Sequence, residues 1–135
     1  MNALDAGIYS RLNTSAITDL LAAGSASLFH LQAKENTSYP YLVWSIQGGG
    51  DVNLEPHRVK NLLVFIRAYS VNSAAQAGSI DAQIDIALHL QPLTVSGWTN
   101  LWLAREQDLE TVENEPNSRQ VWMAGGFYRM VLEDT

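Results

Sequence analysis

The stretch Val59-Lys60-Asn61-Leu62-Leu63-Val64-Phe65-Ile66-Arg67-Ala68-Tyr69 decides the fold. Leu62, Val64, Ile66 and Ala68 alternate with Leu63, Phe65 and Tyr69, the period-two pattern of a β-strand. Both faces are apolar in the middle, so this strand belongs in the centre of a sheet. Upstream, Tyr39-Pro40-Tyr41-Leu42-Val43-Trp44-Ser45-Ile46 reads as a second strand. Pro40 forbids a helix interior and biases Tyr39 to extended geometry, and Leu42, Trp44 and Ile46 then share one face. Gly48-Gly49-Gly50-Asp51 is expected to end that strand, and the segment from Gly48 to His57, through Asn53 and Pro56, to form a flexible hairpin connection.

Further out, Ser27 to Gln32 reads as a short strand followed by a polar loop from Lys34 to Ser38. Leu4, Ile8 and Leu12 place an apolar stripe on a short N-terminal helix. Asn13 breaks it, Thr14 or Ser15 caps a second segment carrying Ile17, Leu20 and Leu21, and Gly24 is its expected stop. Downstream, Asn72 or Ser73 caps a helix in which Ala77, Ile80, Ile84, Ala87 and Leu88 follow helical spacing, and Pro92 sets its end near Leu90. Two more strands, Asn100 to Arg105 and Gln120 to Leu132, flank an acidic stretch. Gly125 and Gly126 inside the last suggest a bulge or a close backbone approach. Strands around few helices imply an α+β fold: a mostly antiparallel mixed sheet packed by one amphipathic helix and short N-terminal helices.

At 135 residues, 47% of them apolar, the chain suits a single domain over residues 1–135 with a real core. Eight Lys and Arg against fourteen Asp and Glu give a formal charge of −6. That balance argues against a domain whose task is gripping phosphates. Cysteine is absent, which removes disulfides, thiolate metal sites and a cysteine nucleophile. Asp5 stands where a signal peptide needs a basic region, and no apolar run approaches the roughly 18 residues of a membrane span. A soluble intracellular protein or assembly component is expected.

The chemistry-bearing residues form no reaction signature. His30, His57 and His89 match no metal-ligand spacing. They read singly, with His89 at a helix end where the dipole favours a cation. No Gly-x-Ser-x-Gly elbow occurs, and Gly48-Gly49-Gly50 lacks the ending of a phosphate loop. Glu106, Asp108, Glu110, Glu113 and Glu115 put five acids in ten residues. In a regular strand Glu106, Asp108 and Glu110 form a comb on one face, which could bind a cation or act as an acid–base pair. With no nucleophile or second ligand type beside them, a solvated acidic edge or interaction surface is the simpler reading. Of four tryptophans, Trp44, Trp102 and Trp122 fall inside strands and read as sheet packing, whereas Trp98, at a turn, is the interface candidate.

The order of elements resembles the tail-completion, tail-terminator-like proteins of long-tailed bacteriophages and prophages. The resemblance rests on the helix with Leu4, Ile8, Tyr9 and Leu12, and on Pro40-Tyr41-Leu42-Val43 after a polar loop. It continues through Phe65-Ile66-Arg67-Ala68-Tyr69-Ser70 and the helix through Ile80, Ile84, Ala87 and Leu88, and so covers nearly the whole chain. It implies a structural protein with no cofactor that forms a homo-oligomeric ring, typically a hexamer, at the head-proximal end of the tail tube. There it would contact the tube protein and a head-completion or connector protein. It would be located in the virion tail, after assembly in the host cytoplasm, and DNA would pass through without specific binding. A ring needs a heterologous interface, and Gly125, Gly126 and the Gly48–His57 segment are its expected contacts, with Trp98. The Glu106–Glu115 segment, or Asp51 and Glu55, is expected to face the lumen, where negative charge lets DNA slide. The alternatives are a head–tail connector or minor tail component, a carboxylate-based metal-binding protein or enzyme, and a monomeric ligand-binding domain with one enclosed pocket.

Overall fold

In a computed structural model, residues 1–53 and 56–135 are described. Helix α1 (Asn2–Leu12) and a single turn α2 (Ser15–Thr18) lead through a 3-10 turn (Gly24–Ser27) into strand β1 (Leu28–His30). The long hairpin of β2 (Tyr41–Val52) and β3 (Val59–Ser70) follows, then α3 (Ala74–Leu88) and the two-residue β4 (Thr94–Val95). A second long hairpin, β5 (Trp98–Asn114) and β6 (Gln120–Asp134), ends the chain. The sheet order is β1-β2-β3-β6-β5-β4. All pairs are antiparallel except β1 with β2, so the fold is α+β on a mixed, mostly antiparallel sheet.

The central strand is as its two apolar faces require: β3 lies between β2 and β6 and pairs with both over nearly its whole length. Leu62, Val64, Ile66 and Ala68 are buried, and Tyr128, Met130 and Leu132 of β6 continue the row. Ile80, Ile84 and Leu88 of α3 and Leu4, Ile8 and Leu12 of α1 pack with them in one cluster. Ser73 caps α3, its Oγ accepting from Gln76 N at 3.1 Å. The cation at the far end of α3 is Arg11, whose guanidinium donates to the carbonyls of Ala87, Gln91 and Pro92 at 2.9, 3.2 and 2.6 Å. His89 instead accepts at Nδ1 from the Arg105 backbone N–H.

Three sequence expectations are corrected. The second helix is one turn only, so Leu20 is exposed while Leu21 reaches the core. The triple glycine does not end β2. Gly48, Gly49 and Gly50 stay in the ladder opposite Leu63, Leu62 and Asn61 after a register shift between Ile46 and Gly48, because ladder hydrogen bonds need no side chain. Gly49 has φ +96°, and a Cβ there would lie 2.0 Å from the Asn61 carbonyl oxygen. The acidic stretch is not a break between strands but the second half of β5. Glu55 lies outside the described residues.

On the opposite face of the sheet, Leu63, Phe65, Arg67 and Tyr69 of β3 are half-buried, and the large buried side chains of the helices all join the cluster on the other side. Ile66→Ala is therefore expected to cost about 3 kcal/mol, the usual range for a fully buried aliphatic truncated to Ala. Leu63→Ala, on the uncovered face, should cost about 1 kcal/mol. Urea denaturation of the two variants compares them directly.

Candidate assembly interface

The acids of β5 do not form a comb. A bulge between Arg105 and Gln107 inserts Glu106 as an extra residue, and this reverses the alternation across it. Glu106 then meets Arg129, at 3.1 Å from Nη2, while Asp108 lies opposite Gly126 and meets Arg105 Nε at 2.5 Å. Asp51, in β2, is paired with Lys60 at 2.7 Å and Arg58 at 3.7 Å, and the Lys60 hydrogen bond holds its carboxyl below the ordinary carboxylate range. Three of the expected free acids are thus matched by cations of the chain. Glu110 and Glu113 are exposed and join no ion pair among the described residues.

Glu115 closes the β5–β6 turn. It accepts from Tyr39 Oη at 2.9 Å and from Arg119 Nη2 at 2.8 Å, and the Arg119 guanidinium lies 5.2 Å from the Tyr39 ring centroid. Tyr39 lies two residues before the start of β2, so the sheet curls far enough for the hairpin tip to reach back across β3 and β6. The Tyr39 hydrogen bond, then Arg119, hold Glu115 below its ordinary value of 4.5. Burial and the Glu115 contact push the Tyr39 hydroxyl well above its usual range.

Arg105 is the most heavily bonded side chain here, and sequence reasoning did not single it out. Its guanidinium grips Asp81 of α3 through two bonds, Nη1 at 2.9 Å and Nη2 at 2.7 Å. It also donates to Tyr128 Oη at 3.1 Å and the Gly125 carbonyl at 2.9 Å. The side chain is 12% exposed. Gly126 makes room for it, since a Cβ there would lie 2.5 Å from Arg105 Nε. A Cβ on Gly125 would lie 2.5 Å from the Ile66 carbonyl oxygen. Both glycines are buried, and the close approaches that require them are within the chain.

Trp98 begins β5, packs beside the core cluster and has Lys60 Nζ 6.0 Å from its ring. The more exposed tryptophan is Trp102, at 51%. A second register shift, between Asn100 and Trp102, puts Leu101 out of the ladder and leaves it exposed as well. No residue pattern marks such a bulge. Across the uncovered face, Phe65 and Phe127 stack at 4.6 Å and Tyr41 lies 5.2 Å from Tyr69. Among the described residues no group of three His, Cys, Asp or Glu could hold a metal, and no helix is long and apolar enough to cross a membrane.

Residues 6–124 match the family model described as "Tail completion protein gp17". The chain belongs to this tail completion family. It is a structural family of phage tails, not an enzyme family. A search of curated proteins finds no significant match. Among solved structures, a chain from the virion of a native gene transfer agent particle is similar in fold, with a TM-score of 0.74 at 15% identity. That alignment covers 97% of this chain and 96% of the other. A second solved chain, of no stated function, aligns with a TM-score of 0.53 at 11% identity over 96% and 94% of the two chains. In this tail completion protein the polar groups that look catalytic in the sequence are joints between elements.

Two outcomes follow from those joints. Arg105→Met leaves Asp81 without its cation in a mostly buried position and is expected to cost about 3 kcal/mol or more. Arg105→Lys should recover only part of this, because a point charge cannot reproduce the two-bond grip. Arg129→Gln, which breaks the more exposed pair with Glu106, should cost under about 1 kcal/mol. Thermal and chemical melts rank the three. For Glu115 the folded value lies below the unfolded one, so its contribution is present above about pH 4.5 and is lost as pH falls through the folded value. Tyr39→Phe should raise the Glu115 carboxyl titration seen by NMR and bring release of the tip to higher pH.

Proposed function

We propose that this chain completes the tail by forming a closed ring, a hexamer, at the head-proximal end of the tail tube. The ring stops tube growth and presents a surface to the head connector, and DNA passes through its opening without being held. The family match over residues 6–124 carries this reading. The likeness to a chain of a gene transfer agent virion supports it. So does the architecture, a sheet with helices on one face and a half-buried aromatic surface on the other. A formal charge of −6 fits a channel component that phosphates do not stick to.

The matched acids change which residues would line such a channel. Asp51, Glu106, Asp108 and Glu115 each meet a cation within the chain, Asp108 sharing Arg105 with Asp81, so the unpaired acids of the Glu106–Glu115 run reduce to Glu110 and Glu113. Trp98, packed beside the core, is a weaker contact than Trp102 and Leu101.

Deleting the gene from its parent phage or prophage tests the function. The expected particles are tubes of irregular, mostly excessive length that carry no heads, visible by negative-stain electron microscopy, with both defects restored by the wild-type chain. Tails of normal length lacking heads would instead assign the chain to the connector. Normal virions would sink both.

A further inference from the structure

Most charges on the sheet are answered within the chain, and the exceptions are informative. Arg67 stands in the middle of the uncovered face. Its Nε donates to Tyr69 Oη at 3.1 Å and its Nη1 to Ser45 Oγ at 3.0 Å, and the guanidinium lies 4.7 Å from the Phe65 ring centroid. All of these partners are neutral, and Arg67 joins no ion pair among the described residues. It is a half-buried cation held in a fixed pose on an aromatic surface, the arrangement that favours an incoming carboxylate.

The complementary feature lies elsewhere on the same molecule. β4 pairs with β5 only at Trp98 and Thr99, and the segment after α3 covers β5 as far as Leu103 and Arg105 through hydrogen bonds from Leu90 and to His89. Beyond the bulge, residues 107–114 of β5 form the open edge of the sheet. This edge exposes Leu109 and Val112 and carries Glu110 and Glu113, one on each face of the strand, neither of which joins an ion pair among the described residues. One surface therefore offers apolar area with an unanswered cation, and the other apolar area with unanswered carboxylates.

We infer that the open edge of β5 in one copy, with Glu110 and Glu113, docks on the Arg67 face of the next copy. The two patches differ, so the contact is heterologous and each subunit offers one of each, which is what a closed ring requires. This rests on the ring proposed above and names its seam. The same two acids cannot then be the free lining of the lumen.

The test uses particles made by complementing the deletion, with copies of the chain per tail counted by quantitative mass spectrometry. Arg67→Glu and the double variant Glu110→Lys/Glu113→Lys should each lower the copy number about tenfold or more, as loss of a desolvated charge pair does. The three changes combined restore the charge match and should recover incorporation to within about threefold of wild type. Arg67→Gln separates charge from folding, since it keeps a hydrogen-bonding side chain, and unchanged melting of each purified variant excludes misfolding as the cause. Single variants that incorporate normally overturn the seam while leaving the ring intact. A loss that the combined variant does not rescue means that Arg67 meets another partner, such as the tube protein or DNA, and also overturns it. Wild-type tails with a single copy of the chain overturn the ring itself.

Discussion

The helices of this chain can cover only one face of its sheet. α1, α2 and α3 bury their large side chains in a single cluster against Leu62, Val64 and Ile66, yet β3 is apolar on both sides. The other side must be dealt with by the sheet. It does so by curling, so that the β5–β6 turn reaches Tyr39, and by stacking aromatic side chains across strands, Phe65 on Phe127 and Tyr41 beside Tyr69. Val43, Val121 and Met123 become buried on this face without any helix above them. What is left half-exposed is the part that curling cannot close.

Arg105 governs how the curled half joins the helical half. It stands just before the bulge in β5, where the chain changes from strand covered by the post-helix segment to open edge. Its bonds reach α3 through Asp81, β6 through Tyr128 and the Gly125 carbonyl, and its own strand through Asp108. Burial works against the charge, but Asp81 and its hydrogen bonds outweigh this and hold the guanidinium firmly protonated. A lysine offers one charge centre and no planar fork, and an alanine at 126 would occupy the space the guanidinium fills. The glycine and the arginine form one device, separated by twenty residues in the sequence.

That separation explains what could and could not be read in advance. The apolar alternation of Leu62 to Tyr69 and the helical spacing of Ile80, Ile84 and Leu88 are local patterns, and they placed the central strand and its covering helix correctly. Bulges leave no such mark. Regular alternation puts Glu106 beside Asp108 and Trp102 in a packed sheet, and a single inserted residue in each case sends Glu106 to Arg129 and Trp102 to solvent. The pairing of Glu106 with Arg129 and of Asp51 with Lys60 is likewise a property of strand register, not of spacing along the chain. Arg129 meets Glu106 only once β5 and β6 are aligned, whereas Arg105 and Arg119 flank the acidic run within three or four residues of Asp108 and Glu115 and could have been read from spacing.

Self-association of such a chain carries an electrostatic cost. Each copy brings a formal charge of −6, and closing several copies into a ring concentrates like charge in a small volume. Ion pairs within the subunit leave this net charge unchanged, whereas the proposed seam, which sets carboxylates against a guanidinium, would lower the repulsion locally. The residual repulsion still favours separate subunits in dilute solution and weakens as salt screens it. A tail tube that supplies a binding surface shifts the balance by mass action. In the proposed ring, this balance would favour closure where a finished tube offers a platform and dispersal elsewhere, coupling assembly to the completion of the tail.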